Sequence, residues 1–381
     1  MRIWQRIIGP DQEIAADVRP PDSTAWDLVL IFGSVAHFGT PGLLPRMRST
    51  FPNAALAGCS TAGEITSDGL RDGHCVITAI GFDDARVRTA AHAIEGIAAS
   101  GTGGAALGRA LAGPDLAGVL VFGKGLDING SAVIDGLVSE IGPGVPISGG
   151  LAGDGGAFKR TWTLSDEEVS DRQVVAVGFY GRSLRFGHGS FGGWEPFGPT
   201  RKVTKADGNI LYELDGEPAL SIYKRYLGDY AADLPSSGLL YPLEMLDRNF
   251  SKVGLIRTIL GIDDAAGSLI LAGSVVENGY LRLMHASTGA LVDGADRAAR
   301  ASIGQLEPGA REGLALLVSC VGRKLIMGDQ IDDEIAAVVD QLGPGFTVTG
   351  FYSYGEICPM ETTKEPKLHN QTMTVTLLAE V

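Results

Sequence analysis

The sequence predicts an α/β protein built from repeated strand–helix–strand–strand modules that form mixed sheets, arranged in two domains. Three observations carry that prediction. The segment Gly350-Phe351-Tyr352-Ser353-Tyr354-Gly355-Glu356-Ile357 repeats the grammar of Gly58-Cys59-Ser60-Thr61-Ala62-Gly63-Glu64-Ile65, and Ser148-Gly149-Gly150-Leu151-Ala152-Gly153-Asp154 is a weaker third copy. Short apolar, β-branched runs alternate with stretches whose apolar residues fall three and four apart, the periods of buried strands and amphipathic helices. Glycine supplies 54 of 381 residues while apolar content stays at 45% with no Gly-X-Y period, which points to compact structure with many tight turns.

Taken in order, Leu28–Phe32 reads as a buried strand. Thr40-Pro41 opens a helix, with Thr as its cap and Pro at the first helical position. Ala54–Cys59 is a strand that ends in the first motif, and Cys75–Phe82 and Val87–Ile94 read as a strand pair. The pattern then restarts with a helix at Thr102–Ala112, a strand at Gly118–Phe122 and a helix at Ser131–Ile141, whose Ile134, Leu137, Val138 and Ile141 share a face. Val145–Ser148 leads into the second motif, and Val174–Tyr180 and Leu184–Phe191 again read as a pair. Asp207-Gly208 closes a hairpin over Val203–Tyr212, because that dipeptide accepts positive φ angles. After a helix at Pro218–Leu227, the irregular stretch Gly228 to Asn249 marks a division into domains 25–228 and 229–381. Strands near Ile256–Leu260, Ser268–Ser274 and Leu281–His285 follow, then a helix at Ala290–Ile303. Strand Leu314–Cys320, a helix at Ile331–Leu342 capped by Asp329, strand Thr347–Tyr352 with the third motif, and strand Thr372–Leu378 close the chain.

The formal net charge of −14 disfavours nonspecific binding to nucleic acid or anionic lipid. No apolar run approaches the ~18 residues of a membrane helix, and the N-terminus lacks a signal-peptide block. A cytoplasmic location without membrane insertion is therefore expected. Cys59, Cys75, Cys320 and Cys358 are scattered without a Cys-x-x-Cys pair, so reduced thiols are expected and neither a zinc site nor a disulfide framework is.

The chemistry concentrates in the repeated turns. Glycine admits a ligand close to the backbone, and one carboxylate per copy supplies a fixed charge. If the modules pack pseudo-symmetrically, Glu64, Asp154 and Glu356 converge, bind a cation such as an ammonium group, and raise one another's pKa; the alternative is that each caps a helix or pairs locally. Arg323 follows the strand Leu314–Cys320, where open α/β sheets place ligands. Its guanidinium suits a carboxylate, unless it is spent on a structural salt bridge. Tyr352 and Tyr354 alternate on one strand face and either wall a pocket or form an ordinary half-buried sheet. A nucleophile at Cys59 or Ser60 needs a base, and none of the six histidines shows triad spacing. Gly101-Thr102-Gly103-Gly104 lacks the Lys-Ser/Thr of a P-loop.

The Gly58–Glu64 segment, Val203-Thr204-Lys205-Ala206-Asp207-Gly208-Asn209 and Leu214-Asp215-Gly216-Glu217-Pro218-Ala219-Leu220 resemble the N-terminal part of the FIST family of bacterial sensory modules. Cys320-Val321-Gly322-Arg323, Gly350–Ile357 and His369-Asn370-Gln371-Thr372 resemble its C-terminal part, and the likeness runs from about residue 25 to the C-terminus. The resemblance implies a non-enzymatic sensor of signal transduction that binds a small polar metabolite such as an amino acid. It also implies a separate output partner, a histidine kinase, cyclase or chemotaxis protein, since the chain shows no output-domain signature. The ligand-binding set expected on this reading is Ser60, Thr61, Glu64, Asp154, Arg323, Tyr352, Tyr354, Glu356, His369 and Asn370. No resident cofactor or metal is expected. Two alternatives stand beside this reading. One is a haem-based nitric oxide sensor, as some family members are described, with His74, His188 or His369 on the iron. The other is a Cys or Ser hydrolase.

Overall fold

The structure, a computed structural model, describes residues 1–10, 12, 20, 25–307 and 309–381. Its strands form three six-stranded mixed sheets and one eight-stranded antiparallel sheet. Each six-stranded sheet is built on two parallel neighbours: Leu28–Gly33 beside Ala55–Ser60, Leu116–Gly123 beside Ile147–Leu151, and Gly313–Cys320 beside Phe346–Ser353. Parallel neighbours require a crossover, which the helices Leu43–Thr50, Gly130–Ile141 and Ile331–Leu342 provide. Outside the first strand of each pair lies an antiparallel strand, Cys75–Gly81, Gln173–Tyr180 or Met373–Glu380. Outside that lies another, Arg2–Ile8, Arg86–Ala93 or Leu184–Phe191.

Two expected pairings do not form. Cys75–Gly81 already has Arg2–Ile8 and Leu28–Gly33 on its two edges, and Gln173–Tyr180 has Arg86–Ala93 and Leu116–Gly123. Neither has an edge free for the strand that follows it, so the chain passes at both points to the next sheet. Two helix starts also move. Thr40 Oγ1 donates to Ala36 O at 2.7 Å instead of capping, and the helix begins at Leu43 after Gly42 at φ 107°. The helix Ile331–Leu342 begins after Gln330, and Asp329 makes no capping bond.

The hairpin that follows each repeated turn leaves its own module. Glu64–Thr66 and Gly69–Arg71 extend the third sheet beside Phe346–Ser353. Thr163–Leu164 and Val169–Ser170 extend the first beside Ala55–Ser60, and Gly355–Pro359 with Pro366–His369 extend the second beside Ile147–Leu151. The exchange is cyclic, so no module completes its sheet without another.

Both faces of these sheets are covered, which is why their strands read as continuous apolar runs. The inner faces share one core containing Leu30, Phe32, Leu120, Phe122, Val175, Leu316, Val318 and Phe351. Phe32 lies 4.8 Å from Phe351 and 5.4 Å from Phe122 between ring centres, so one aromatic from each module meets at the centre. The outer faces carry the helices, with Met47 against Val29 and Ile31 in the first module and Val133, Leu137, Ile335 and Val338 in the others. Gly58, Gly149 and Gly350 face the carbonyls of Ile31, Val121 and Leu317 on the parallel neighbour, and a Cβ at any of them would run into that oxygen. The repeated glycine is therefore a demand of strand approach.

The eight-stranded sheet is an insertion in the third module. It runs from Glu195 to His285, between the outer strand Leu184–Phe191 and the helix Thr288–Ile303. Its strands come from both sides of residue 228, with Ile210 opposite Ile270 and Arg201 opposite Leu281. Among the described residues no helix is long and apolar enough to cross a membrane.

Candidate functional site

The three repeated turns meet in a closed ring of backbone hydrogen bonds. Ala62 N donates to Tyr352 O (2.8 Å), Tyr354 N to Leu151 O (3.2 Å) and Gly153 N to Ser60 O (2.9 Å). The sheet register corrects the third copy. Ile65, Leu164 and Ile357 lie opposite the three glycines Gly350, Gly58 and Gly149, so the counterpart of Glu64 and Glu356 is Thr163, not Asp154. The longer segment 152–162 separates that turn from its hairpin, and it takes the acid out of register.

The carboxylates do not converge, because each is held by donors of its own. Glu64 is fully buried; its Oε1 bonds Thr61 Oγ1 and its Oε2 accepts from His74 N at 2.8 Å. Glu356 repeats the arrangement. Ser353 Oγ donates to it at 2.9 Å, and Thr372 donates through N and Oγ1 at 3.1 and 2.9 Å. Burial pushes both carboxyls up to about 8, against the pull of those donors. The charges that bear on Glu64 are Asp72 and Lys324, and the one on Glu356 is Arg323. Asp154 instead closes its own loop, accepting from the backbone of Phe158, Lys159 and Arg160 and from Tyr354 Oη. Ser60 is also spent, donating to Gly153 O and accepting from Trp162 N.

Arg323 does not offer its guanidinium to a ligand. It is fully buried and pairs with Glu334 at 2.6 Å, and its remaining bonds go to the carbonyls of Gly192 and Leu291. Tyr352 Oη donates to the same Glu334 at 2.7 Å, while Tyr354 Oη reaches Asp154, so the two tyrosines do not share a pocket. Burial pushes both phenols up, and Tyr352 is also raised by Glu334.

A cleft of about 440 Å³ opens where the inserted sheet meets the third module. Ser190–Trp194 form one wall as the chain leaves the strand Leu184–Phe191. Lys252–Ile256, Glu244 and Met284 of the inserted sheet form another, and Met360–Thr362, His369 and Thr372 complete it. Glu244 is buried and takes Arg282 Nε at 2.6 Å and Lys252 Nζ at 3.5 Å, while the Lys252 side chain is 66% exposed. Trp194 is fixed by donating Nε1–H to Gln371 O at 2.7 Å. Thr372 brings the bond from Glu356 to the cleft wall, and Gly192 brings that from Arg323. Of the expected residues, His369 lines this cleft and Glu356 supports it from behind. Asn370 is buried beside it, and among the described residues neither end of its amide is bonded. Ser60, Thr61, Glu64, Asp154, Arg323, Tyr352 and Tyr354 line none of it.

Burial keeps His369 and His188 neutral near pH 7. His369 Nε2 faces Cys358 O at 2.9 Å and Nδ1 faces Ser190 Oγ at 3.3 Å, which fixes the proton on Nε2. Burial lowers its pKa to about 4. Both nitrogens are engaged, so His369 does not fit as a ligand to haem iron. His188 bonds Ser148 through Nδ1 and is likewise lowered to about 4 by burial; its Nε2 is unbonded, but its ring is stacked on Phe186 in the interior. The Cys59 thiol is buried and pushed well above the ordinary thiol value by burial and by Glu64, so it is no thiolate nucleophile. No histidine bonds Cys59 or Ser60 among the described residues.

With this geometry the comparisons with known proteins agree in one respect. The model of the FIST N domain matches residues 27–217, and that of the FIST C domain matches residues 219–359. The chain belongs to the FIST family. FIST domains are sensory domains of signal transduction. An uncharacterized protein from Mycobacterium tuberculosis is 30% identical over 264 residues, 67% of this chain and 62% of its own length. One from Mycobacterium bovis is 29% identical over 248 residues, 62% of this chain and 61% of its own. The match thus spans less than two thirds of either relative. An uncharacterized protein of Methanocaldococcus jannaschii is 38% identical over 90 residues, 23% of this chain and 17% of its own length. The crystal structure of a cyanuric acid hydrolase from A. caulinodans covers 99% of both chains at 12% identity, with a TM-score of 0.34, too low to carry an argument.

Glu244, Lys252 and Trp194 are the cleft residues that sequence reasoning missed. Glu244 lies in a stretch read as irregular, yet Leu243–Leu246 is a strand whose Leu243 and Met245 enter the core of the inserted sheet. A single acid within an apolar alternation was the available signal.

Proposed function

We propose that this FIST protein is a cytoplasmic small-molecule sensor that binds a small polar metabolite, such as an amino acid, in the cleft beside the inserted sheet. It acts without catalysis and regulates a separate output partner, a histidine kinase, cyclase or chemotaxis protein. The observation that carries the reading is the cleft's composition. A carboxylate and an ammonium, Glu244 and Lys252, stand beside hydroxyls, a neutral imidazole and the apolar side chains of Trp194, Met284 and Met360, in a volume of about 440 Å³ that suits a metabolite. A zwitterionic ligand can exchange partners with that ion pair without leaving a charge unpaired. Thr372 and Gly192 tie the cleft wall to Glu356 and Arg323 near the ring of turns, so occupancy bears on the contacts between modules. A differential affinity of about 1–3 kcal/mol is enough to switch a partner.

The test is a thermal-shift screen of amino acids and related metabolites on the full chain, repeated on Glu244→Gln and Lys252→Ala. A compound that raises Tm in the unmodified chain and loses most of that effect in both variants supports the reading. An unresponsive panel, or shifts of equal size in both variants, sinks it.

A further inference from the structure

The second module leaves a strand edge uncovered. Arg86–Ala93 is the last strand of its sheet, and among the described residues it pairs only with Gln173–Tyr180. Just past its end, Ile94 N donates to Arg172 O at 2.7 Å. Backbone groups alternate in direction along a strand, so Arg86, Arg88, Ala90 and His92 also face Gln173–Tyr180. The N–H and C=O groups of Val87, Thr89, Ala91 and Ala93 therefore point outward, and among the described residues no strand or side chain takes them. The corresponding strand of the third module, Leu184–Phe191, is covered at its edge by Gln305, which accepts from His188 N at 3.3 Å and donates to His188 O at 2.6 Å. Open edges recruit further strands, and proteins blunt them with proline, bulges or cover. Arg86–Ala93 has eight residues, no proline and an unbroken register.

Two hollows flank this edge. One of about 520 Å³ lies between residues 86–89 and Arg48, Ala54 and Ala55 of the first module. Consecutive residues of the strand line it, so the strand presents its edge there and not one face. The other, of about 360 Å³, lies between residues 86–88 and Ala112, Pro114 and Tyr180. The charge at the edge is positive. Arg86 is exposed and makes no ion pair among the described residues. Arg88 donates to Tyr180 Oη at 2.6 Å and to Leu111 O at 3.1 Å, and among the described residues it too has no ion pair. The acids beside the first hollow are spent. Asp166 takes Arg48 Nη2 at 2.6 Å, Leu56 N at 2.8 Å and Thr89 Oγ1, and Asp27 takes Phe82 N at 2.8 Å. In a chain of net charge −14 this is a local basic margin. It favours an acidic strand, and it opposes a second copy of itself, which would set the arginines of both copies along one seam.

We propose that the outer edge of Arg86–Ala93 docks an acidic, extended segment of a partner protein, which joins the second sheet as a further strand. Its backbone pairs with the outward groups of Val87, Thr89, Ala91 and Ala93. Its carboxylates meet Arg86 and Arg88, and its side chains, alternating from face to face, enter the two hollows. The site lies on the second module, apart from the metabolite cleft between the third module and the inserted sheet.

The experiment pans a phage-displayed library of random octapeptides on the full chain. Enriched sequences are expected to carry Asp or Glu at alternate positions without proline between them. The best binder, made as a fluorescent peptide, is then titrated by anisotropy. Arg86→Glu sets like charges together and lowers its affinity about tenfold or more. Ala91→Pro removes an outward N–H without changing charge, at an edge position where proline is tolerated, and weakens binding to a similar extent. Methylating alternate amide nitrogens of the peptide abolishes binding, a readout that holds even if Ala91→Pro does not fold. The proposal is overturned if the library enriches no acidic sequence, if either folded variant binds as the unmodified chain does, or if the methylated peptide still binds. It is also overturned if inorganic phosphate displaces the peptide completely, which makes the edge an anion site, or if sedimentation shows a dimer that Ala91→Pro splits, which makes the occupant a second copy. The metabolite screen is a separate measurement, so failure here leaves the cleft reading standing.

Discussion

Around the ring of repeated turns, Glu64, Glu356, Asp154 and Arg323 are all bound by protein groups. At the junction with the inserted sheet, Lys252 reaches solvent, and among the described residues Arg257 has no acid and the amide of Asn370 has no partner. The two arginines make the contrast plainest. Both are buried, but Arg323 has Glu334 at 2.6 Å and Arg257 has only carbonyls. The difference teaches where binding capacity resides in this fold. The ring is the seam that three interlocked modules share, and its polar groups are used up in holding that seam. The inserted sheet joins the modules at an imperfect boundary, where polar groups are left over for something else.

The contrast breaks most readily at Arg323. If its pair with Glu334 holds the seam, Arg323→Ala strands a buried carboxylate and costs about 3–5 kcal/mol of stability, read by urea unfolding. A loss below about 1 kcal/mol would remove the distinction between seam and junction.

The second test uses pH. Glu64 and Glu356 are held at about 8 in the fold, against an ordinary value of 4.5. The folded state therefore keeps protons that the unfolded chain releases. The stability they contribute is complete below about pH 4.5 and is lost as pH rises through 8, with a slope of up to about 1.4 kcal/mol per pH unit for each group. Glu64→Gln with Glu356→Gln should flatten the fall in unfolding free energy between pH 5 and 8. An unchanged slope in the double variant would mean that these carboxyls are ionised in the fold.

The smallest effect is expected at the cleft. Lys252→Ala removes an exposed ammonium and should change stability by less than about 1 kcal/mol, while it weakens the metabolite response. A large stability loss there would make Lys252 part of the scaffold and blur the comparison from the other side.

Much of the architecture is legible in the residues. The parallel strands are apolar because both faces are covered, and the crossover helices keep their 3.6-residue period. The glycine of each turn recurs because each meets a neighbouring carbonyl. The expected pairings of Cys75–Phe82 with Val87–Ile94 and of Val174–Tyr180 with Leu184–Phe191 failed for a non-local reason. Strand period shows that a segment is extended, but not which edges its neighbours have already taken. Within the candidate site, His369 was singled out as part of a motif, while Glu356, expected to bind ligand, stands behind the cleft wall bonded to Thr372. Arg323 was equally prominent, yet its partner Glu334 comes from the next helix. Arg257 gave no local signal, because what distinguishes it is an acid that is missing in space.

By itself the sequence determined the α/β class, the threefold recurrence and the family, since these rest on periodicity and on short motifs read within one stretch of chain. Only the tertiary structure decided which hairpin completes which sheet, that the repeated acids are kept apart, and that polar capacity is left over beside the inserted sheet. The physical reason is that a charge is spent or available according to what lies within about 4 Å of it. For Arg323 and Arg257 that shell includes carbonyls far along the chain, those of Gly192 and Leu368.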